Sequence, residues 1–352
     1  MTHWKKTSLL TTVALFMLIT SIFYLLNINI SIPSSDIDFS PWQEPQKTAS
    51  DFENEKPENI IIFIVDGLGF GHLSIALQTL QEKDQLSVWQ EFEIKGWHDA
   101  KSAYGPLTDS EASATAFATG TSSGFGHIGI DQERRNLKNI FEVASENEYA
   151  TGIVTDSYIW DGTPAGFLVH TRDEDDAREI LTQISASNLD LIFGELEDLG
   201  EGKVPERDET IEILSRRFHL LDESLQLPQG KKASDPVAVI FDEDEIQDLN
   251  STPNLSKLTD VALEYMTSLN KPFVLLVESE EMDAASHEND SDRVFKGLQS
   301  IQHALTQVLN FSKMNGKTLV LFTSDHETGG LAAVADFDRY PKLQMRWTTK
   351  DH

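Results

Sequence analysis

The chain has 352 residues, 39% of them hydrophobic, no cysteine and a formal net charge of -30. This length and hydrophobic share suit one large α/β domain or two ordinary ones. The lack of cysteine excludes disulfides, thiolate metal sites and a cysteine nucleophile, so any metal must be held by His, Asp and Glu. So acidic a chain repels nucleic acid, and a phosphate-bearing substrate needs a locally positive site, which bound divalent cations supply. The acidity serves solubility equally well.

Leu9 to Leu26 are nearly all apolar and follow Lys5 and Lys6. A run of this length crosses most of a bilayer as a helix, and the flanking lysines place the N-terminus on the cytoplasmic side. Residues 1–30 are therefore expected to form an uncleaved signal anchor. The alternative is a cleaved signal peptide, whose apolar core is usually shorter. Residues 31–57, rich in Pro, Ser, Asp and Glu, read as a linker, and the folded domain is expected over residues 58–352, outside the membrane on the periplasmic or extracellular side.

Six apolar runs follow: Asn59–Val65, Thr151–Thr155, Leu189–Phe193, Val237–Phe241, Phe273–Val277 and Thr318–Thr323. Apolar on both faces and spaced by helical patterns such as Asp292–Leu309, they predict a mostly parallel central sheet sandwiched by helices, an α/β fold. Ligands of such sheets gather at the carboxyl ends of the strands. Those ends carry Asp66, then Glu278 with Asp283 and His287, then Asp325 and His326. One acid at a strand end is commonly a helix cap; three ends sharing the pattern point to a site. Asp283 and His287 are four apart, so a helix would show them on one face. Asp325 and His326 are adjacent and can share a centre only if their turn is irregular, which Gly329 and Gly330 permit.

The run Ser110–Thr119 is rich in Ala, Ser and Thr and predicts a slender helix ending at Gly120. Ser110 at its start can be an N-cap or a residue beside a bound phosphate. A serine hydroxyl needs a base or a metal to become nucleophilic. No Gly-x-Ser-x-Gly elbow surrounds Ser110, so metal activation fits better. His72, His98, His127, His219 and His303 read as surface or packing residues, and the acidic run Asp173–Asp176 as a solvated face.

Six stretches resemble the alkaline phosphatase family in family order: Asn59–Gly71 (NIIIFIVDGLGFG), Thr108–Gly120 (TDSEASATAFATG), Asp161–Arg172 (DGTPAGFLVHTR), Glu278–His287 (ESEEMDAASH), Thr323–Gly330 (TSDHETGG) and Trp347–His352 (WTTKDH). The resemblance implies hydrolysis of phosphate monoesters through a phosphoserine on Ser110, with two zinc ions and one magnesium. Asp283, His287 and His352 would hold the first zinc; Asp66, Asp325 and His326 the second, facing Ser110. Asp66, Thr163 and Glu278 would hold the magnesium, with Asp161 orienting its waters. Arg172 would clamp the phosphate, although only Thr171 separates it from His170, and Arg178 is the alternative. Glu111 stands where the family commonly has a small residue and is expected to point to solvent. Family members typically continue past the position of His352, so the resemblance implies a domain lacking its final elements. It leaves a homodimer open. The rivals are a phosphodiesterase or sulfatase of the same superfamily and an inactive membrane-tethered binder of metal or phosphate.

Overall fold

The computed structural model describes residues 56–80, 87–196, 205–230, 234–243, 245–246, 253–335 and 343–352. The expected anchor at residues 1–30 and most of the linker lie outside them. Among the described residues no helix is long and apolar enough to cross a membrane.

The chain runs through β1 (Asn59–Val65), α1 (Phe70–Thr79), α2 (Ser110–Thr119), α3 (Ile140–Glu146), β2 (Ala150–Tyr158), α4 (Gly162–Gly166), α5 (Ala177–Ala186) and β3 (Leu191–Glu195). It continues through α6 (Arg207–Ser215), β4 (His219–Leu220), β5 (Val237–Phe241), α7 (Leu255–Ser268), β6 (Phe273–Ser279), α8 (Glu281–Glu288) and α9 (Ser291–Asn315), and then β7 (Thr318–Ser324), β8 (Ala332–Ala335) and β9 (Leu343–Arg346).

Seven strands form a parallel sheet in the order β4-β5-β3-β2-β6-β1-β7. The period-two geometry of a strand sorts β1 between two cores. Ile61, Phe63 and Val65 join the cluster under α1, α7 and α9, while Ile62 and Ile64 join the cluster under α2, α3 and α5. Helices thus cover both faces of the central strands, as the continuous apolar runs demand.

One expected central strand is different. β7 lies at the sheet edge, and Leu319 and Leu321 on one of its faces are exposed. Its other face carries Phe322, stacked against Phe63 and Trp89. The small antiparallel pair of β8 and β9 follows it.

Four neighbouring strands, β2, β6, β1 and β7, bring their carboxyl ends level. In the register, Ile64 lies beside Glu278 and Val65 beside both Ser279 and Ser324. Acids placed just past these positions must converge.

Candidate active site

Ser110 is the first residue of α2 and not its cap. Asp109 takes that role, its Oδ1 accepting the Ala112 N–H at 2.9 Å while its Oδ2 accepts the Gly126 N–H at 2.7 Å. A carboxylate is a good N-cap because it answers both the unpaired amides and the helix dipole. With capping done by Asp109, the Ser110 hydroxyl turns elsewhere. It donates to Asp66 Oδ2 at 3.0 Å and lies 3.2 Å from His326 Nε2. The helix ends at Gly120, whose φ of 72° is the left-handed closure that glycine accepts without strain.

Asp66, Asp325 and His326 form a buried trio whose ligand atoms all lie within 4.8 Å of one another. The turn after β7 is irregular, with Gly329 and Gly330 both at positive φ, and it lets adjacent residues face one point. His326 Nε2 lies 3.3 Å from Asp325 Oδ2 and 3.4 Å from Asp66 Oδ1. The second trio is Asp283, His287 and His352. On α8 the four-residue spacing sets His287 Nε2 at 3.2 Å from Asp283 Oδ2. The His287 Nδ1–H donates to the Lys350 carbonyl, which leaves Nε2 free as a ligand. His352 stacks edge-on against His326 and His287, with ring centroids 4.1 and 5.1 Å away. Burial, then the nearby His326, holds its pKa below the usual histidine value.

A residue that sequence reasoning passed over joins the two trios. The buried Thr328 hydroxyl donates to Asp283 Oδ1 and lies 3.2 Å from His326 Nδ1 and 3.4 Å from His352 Nδ1. Its place in the Asp-His-Glu-Thr run was the available signal; nothing in the residue type distinguished it from a turn threonine.

Behind these trios lie Thr163, on α4, and Glu278, at the end of β6, both fully buried. Among the described residues, Thr163 Oγ1, both Glu278 oxygens, Asp66 Oδ1 and Asp325 Oδ2 are buried without a hydrogen-bond partner. The Thr155 and Thr163 hydroxyls lie near enough to Glu278 to ease its charge, yet neither makes a well-formed hydrogen bond to it. Desolvation, followed by the charge of Asp161, raises the Glu278 pKa well above the carboxylate range. Desolvation and then Asp325 do the same for Asp66, and desolvation pushes Asp161 up to about 6. Buried acids with free lone pairs demand either protons or cations. Cations fit the donor chemistry: histidine with carboxylate suits zinc, and the all-oxygen set of Asp66, Thr163 and Glu278 suits magnesium. Asp161 is held one step back, its Oδ2 accepting the Ser157 hydroxyl at 2.6 Å.

The structure does not bring every candidate to this point. Arg172 is exposed, its guanidinium 3.5 Å from the Arg134 carbonyl, and among the described residues no hydrogen bond joins it to Ser110 or to either trio. Arg178 pairs with Glu209 on α6. Glu111 departs from expectation. Its carboxyl turns inward beside Gly162, where an added Cβ would lie 2.6 Å from Glu111 Oε1, and it gathers with Asp109 and Glu174. Desolvation, followed by Asp109 and Glu174, pushes its pKa up to about 8. His72, expected at the surface or in simple packing, is fully buried and hydrogen-bonded at both ring nitrogens.

A model of the alkaline phosphatase family matches residues 57–342. The chain is 29% identical to an alkaline phosphatase of Schizosaccharomyces pombe across 79% of this chain, spanning 57% of that protein's length. It is 26% identical to alkaline phosphatase 3 of Bacillus subtilis, across 87% of this chain and 68% of the relative. Among solved structures, alkaline phosphatase from the Antarctic bacterium TAB5 superposes with a TM-score of 0.72 at 26% identity, covering 85% of this chain and 88% of that one. A substituted form of the TAB5 enzyme, described with Mg bound in its M3 site, gives a TM-score of 0.73 at 26% identity, with the same coverage.

Proposed function

This chain belongs to the alkaline phosphatase family, and from that premise we propose that it hydrolyses phosphate monoesters through a phosphoserine on Ser110. One observation carries the proposal: Ser110 is released from capping its helix and instead points its hydroxyl at Asp66 and His326, among buried acceptors that lack partners. In this reading Asp283, His287 and His352 hold one zinc and Asp66, Asp325 and His326 a second. Asp66, Thr163 and Glu278 hold a magnesium, the metal described at the M3 site of the TAB5 form. These cations, when bound, would polarise the reacting oxygens and offset charge on the phosphoryl group.

The chain's own residues set up the transfer. The hydrogen bond to Asp66 aims the Ser110 hydroxyl, whose proton passes to solvent as Oγ attacks phosphorus. The bond from phosphorus to the alcohol oxygen breaks as the bond to Ser110 forms, and the departing oxygen takes a proton from water. Water then cleaves the phosphoserine, restoring the hydroxyl and releasing phosphate. The N-terminal end of α2, with its dipole, favours the anion beside Ser110. Arg172 is assigned to the phosphate oxygens, a group that a planar guanidinium can grip with two bonds. Asp161 steadies the magnesium side.

Phosphate release from an aryl phosphate, measured at alkaline pH with zinc and magnesium, tests this. Ser110→Ala should lose about a thousandfold or more in kcat, as loss of a nucleophile does in other hydrolases. Full turnover by that variant would overturn the nucleophile, and faster cleavage of an aryl phosphodiester or sulfate would overturn the monoester substrate. We further assign Leu9–Leu26 as an anchor that holds the domain on the outer face of a membrane. The chain should then sediment with membranes and resist extraction by carbonate, whereas release into the soluble fraction would overturn the anchor.

A further inference from the structure

We propose that His72 is a positioning residue: its imidazole locks the turn carrying Asp66 to the helix carrying Asp283 and His287, and so fixes the spacing between the two proposed zinc sites. The inference rests on the metal-dependent reading above. His72 sits in the first turn of α1, three residues after Gly69, and is fully buried. The Gly69 N–H can only donate, so at 3.1 Å it makes His72 Nδ1 an acceptor. The ring proton is then on Nε2, 2.9 Å from Ser286 Oγ. Ser286 in turn donates to the Met282 carbonyl at 2.6 Å, leaving its lone pairs to the imidazole. Every proton in this chain has one place to go, and the ring is neutral. Burial supports this, drawing the His72 pKa down to about 4.

The two anchoring points matter because of what they border. Gly69 closes the turn that begins with Asp66 and Gly67, and the Gly67 N–H donates to Asp325 Oδ1 at 3.1 Å. Ser286 precedes His287 and lies one helical turn past Asp283. The two segments also meet directly, for a Cβ on Gly67 would lie 2.8 Å from the Asp283 Cα. On its other side the His72 ring lies 6.0 Å from Trp347, which leads into the segment bearing His352. One imidazole thus touches three ligand-bearing segments without contacting a proposed ligand.

The test loads the full-length protein with zinc and follows the rate at which a chromogenic chelator withdraws it, beside unfolding temperatures. Ser286→Ala and His72→Leu should each speed withdrawal about tenfold, at the low end of outer-shell effects on metal affinity. The double variant should be no faster than either, and His72→Gln, which keeps a donor toward Ser286, should recover part of the loss. Ile184→Val, in the core on the opposite face of the sheet, should lower the unfolding temperature without changing the rate. Rates within about twofold of wild type in both single variants, or effects that add in the double, overturn the inference. A wild-type protein that retains no zinc overturns the metal reading and this inference with it; one that retains zinc as its variants do overturns the inference alone.

Discussion

Asp109 and Ser110 divide work that one serine could have done. By capping α2 and holding the Gly126 amide, Asp109 leaves the neighbouring hydroxyl free for chemistry. Its carboxylate also faces Glu111 and Glu174, adding to the burial that already disfavours a charge on Glu111. Glu111 has a folded pKa of about 8 against the ordinary value of 4.5. The folded state therefore keeps a proton that the unfolded chain gives up first, and the fold loses stability as pH rises from about 4.5 to about 8. Glu111→Gln cannot ionise. It should melt at a higher temperature than wild type at pH 9 and at nearly the same temperature near pH 4, as read by circular dichroism. Equal melting at both pH values would show that Glu111 ionises without penalty.

At the scale of elements, the turn from β1 into α1 achieves its closeness through missing side chains. A Cβ on Gly71 would lie 1.9 Å from the Leu331 carbonyl oxygen, and backbone cannot step aside as a flexible side chain can. Gly71→Ala should cost about 1–3 kcal/mol, the usual range for overpacking. Urea unfolding would show it as a lowered midpoint at unchanged slope, and an unchanged midpoint would mean that α1 does not press on this loop.

How far such contacts are legible in sequence depends on their range. Asn59–Val65 and Val237–Phe241 coincide end to end with their strands, because an apolar run buried on both faces announces itself locally. The apolar run Thr318–Thr323 looked the same, yet its strand is an edge: composition shows that residues are apolar, not how many neighbours they have. The four-residue strands β8 and β9 are too short to establish a period. Asp66, Glu278, Asp283, His287, Asp325 and His326 stood out through their positions at or just past strand ends, whereas His352, Asp161 and Thr163 were indicated only by the family resemblance. The inward turn of Glu111 and the burial of His72 depend on Gly162 and Ser286, partners distant in the chain that no local pattern points to.

Taken whole, the molecule directs a share of its large negative charge to one place. Asp66, Asp161, Glu278 and Glu280 are each raised above the ordinary carboxylate range, with desolvation the largest cause in every case. The sign of the consequence is fixed. For acids with raised folded pKa values, the metal-free fold is most stable below their unfolded pKa and loses that stability as pH climbs through the folded values. Asp161, at about 6, places part of the loss just below neutrality, and the raised values of the other three add to it in the same direction. Cations shared by the ends of β2, β6, β1 and β7 would replace the protons and tie four strands together. They would act most strongly where the acids are ionised, since ligands must lose protons to bind. The gap in melting temperature between the zinc- and magnesium-loaded protein and the same protein stripped by a chelator should therefore widen from pH 6 to pH 9. Measuring the gap subtracts the general repulsion of a chain of net charge -30, which weighs on both samples. A gap that stays constant or narrows over that range would mean that Asp66 and Glu278 do not hold the metals, and that the convergence of four strand ends serves the fold alone.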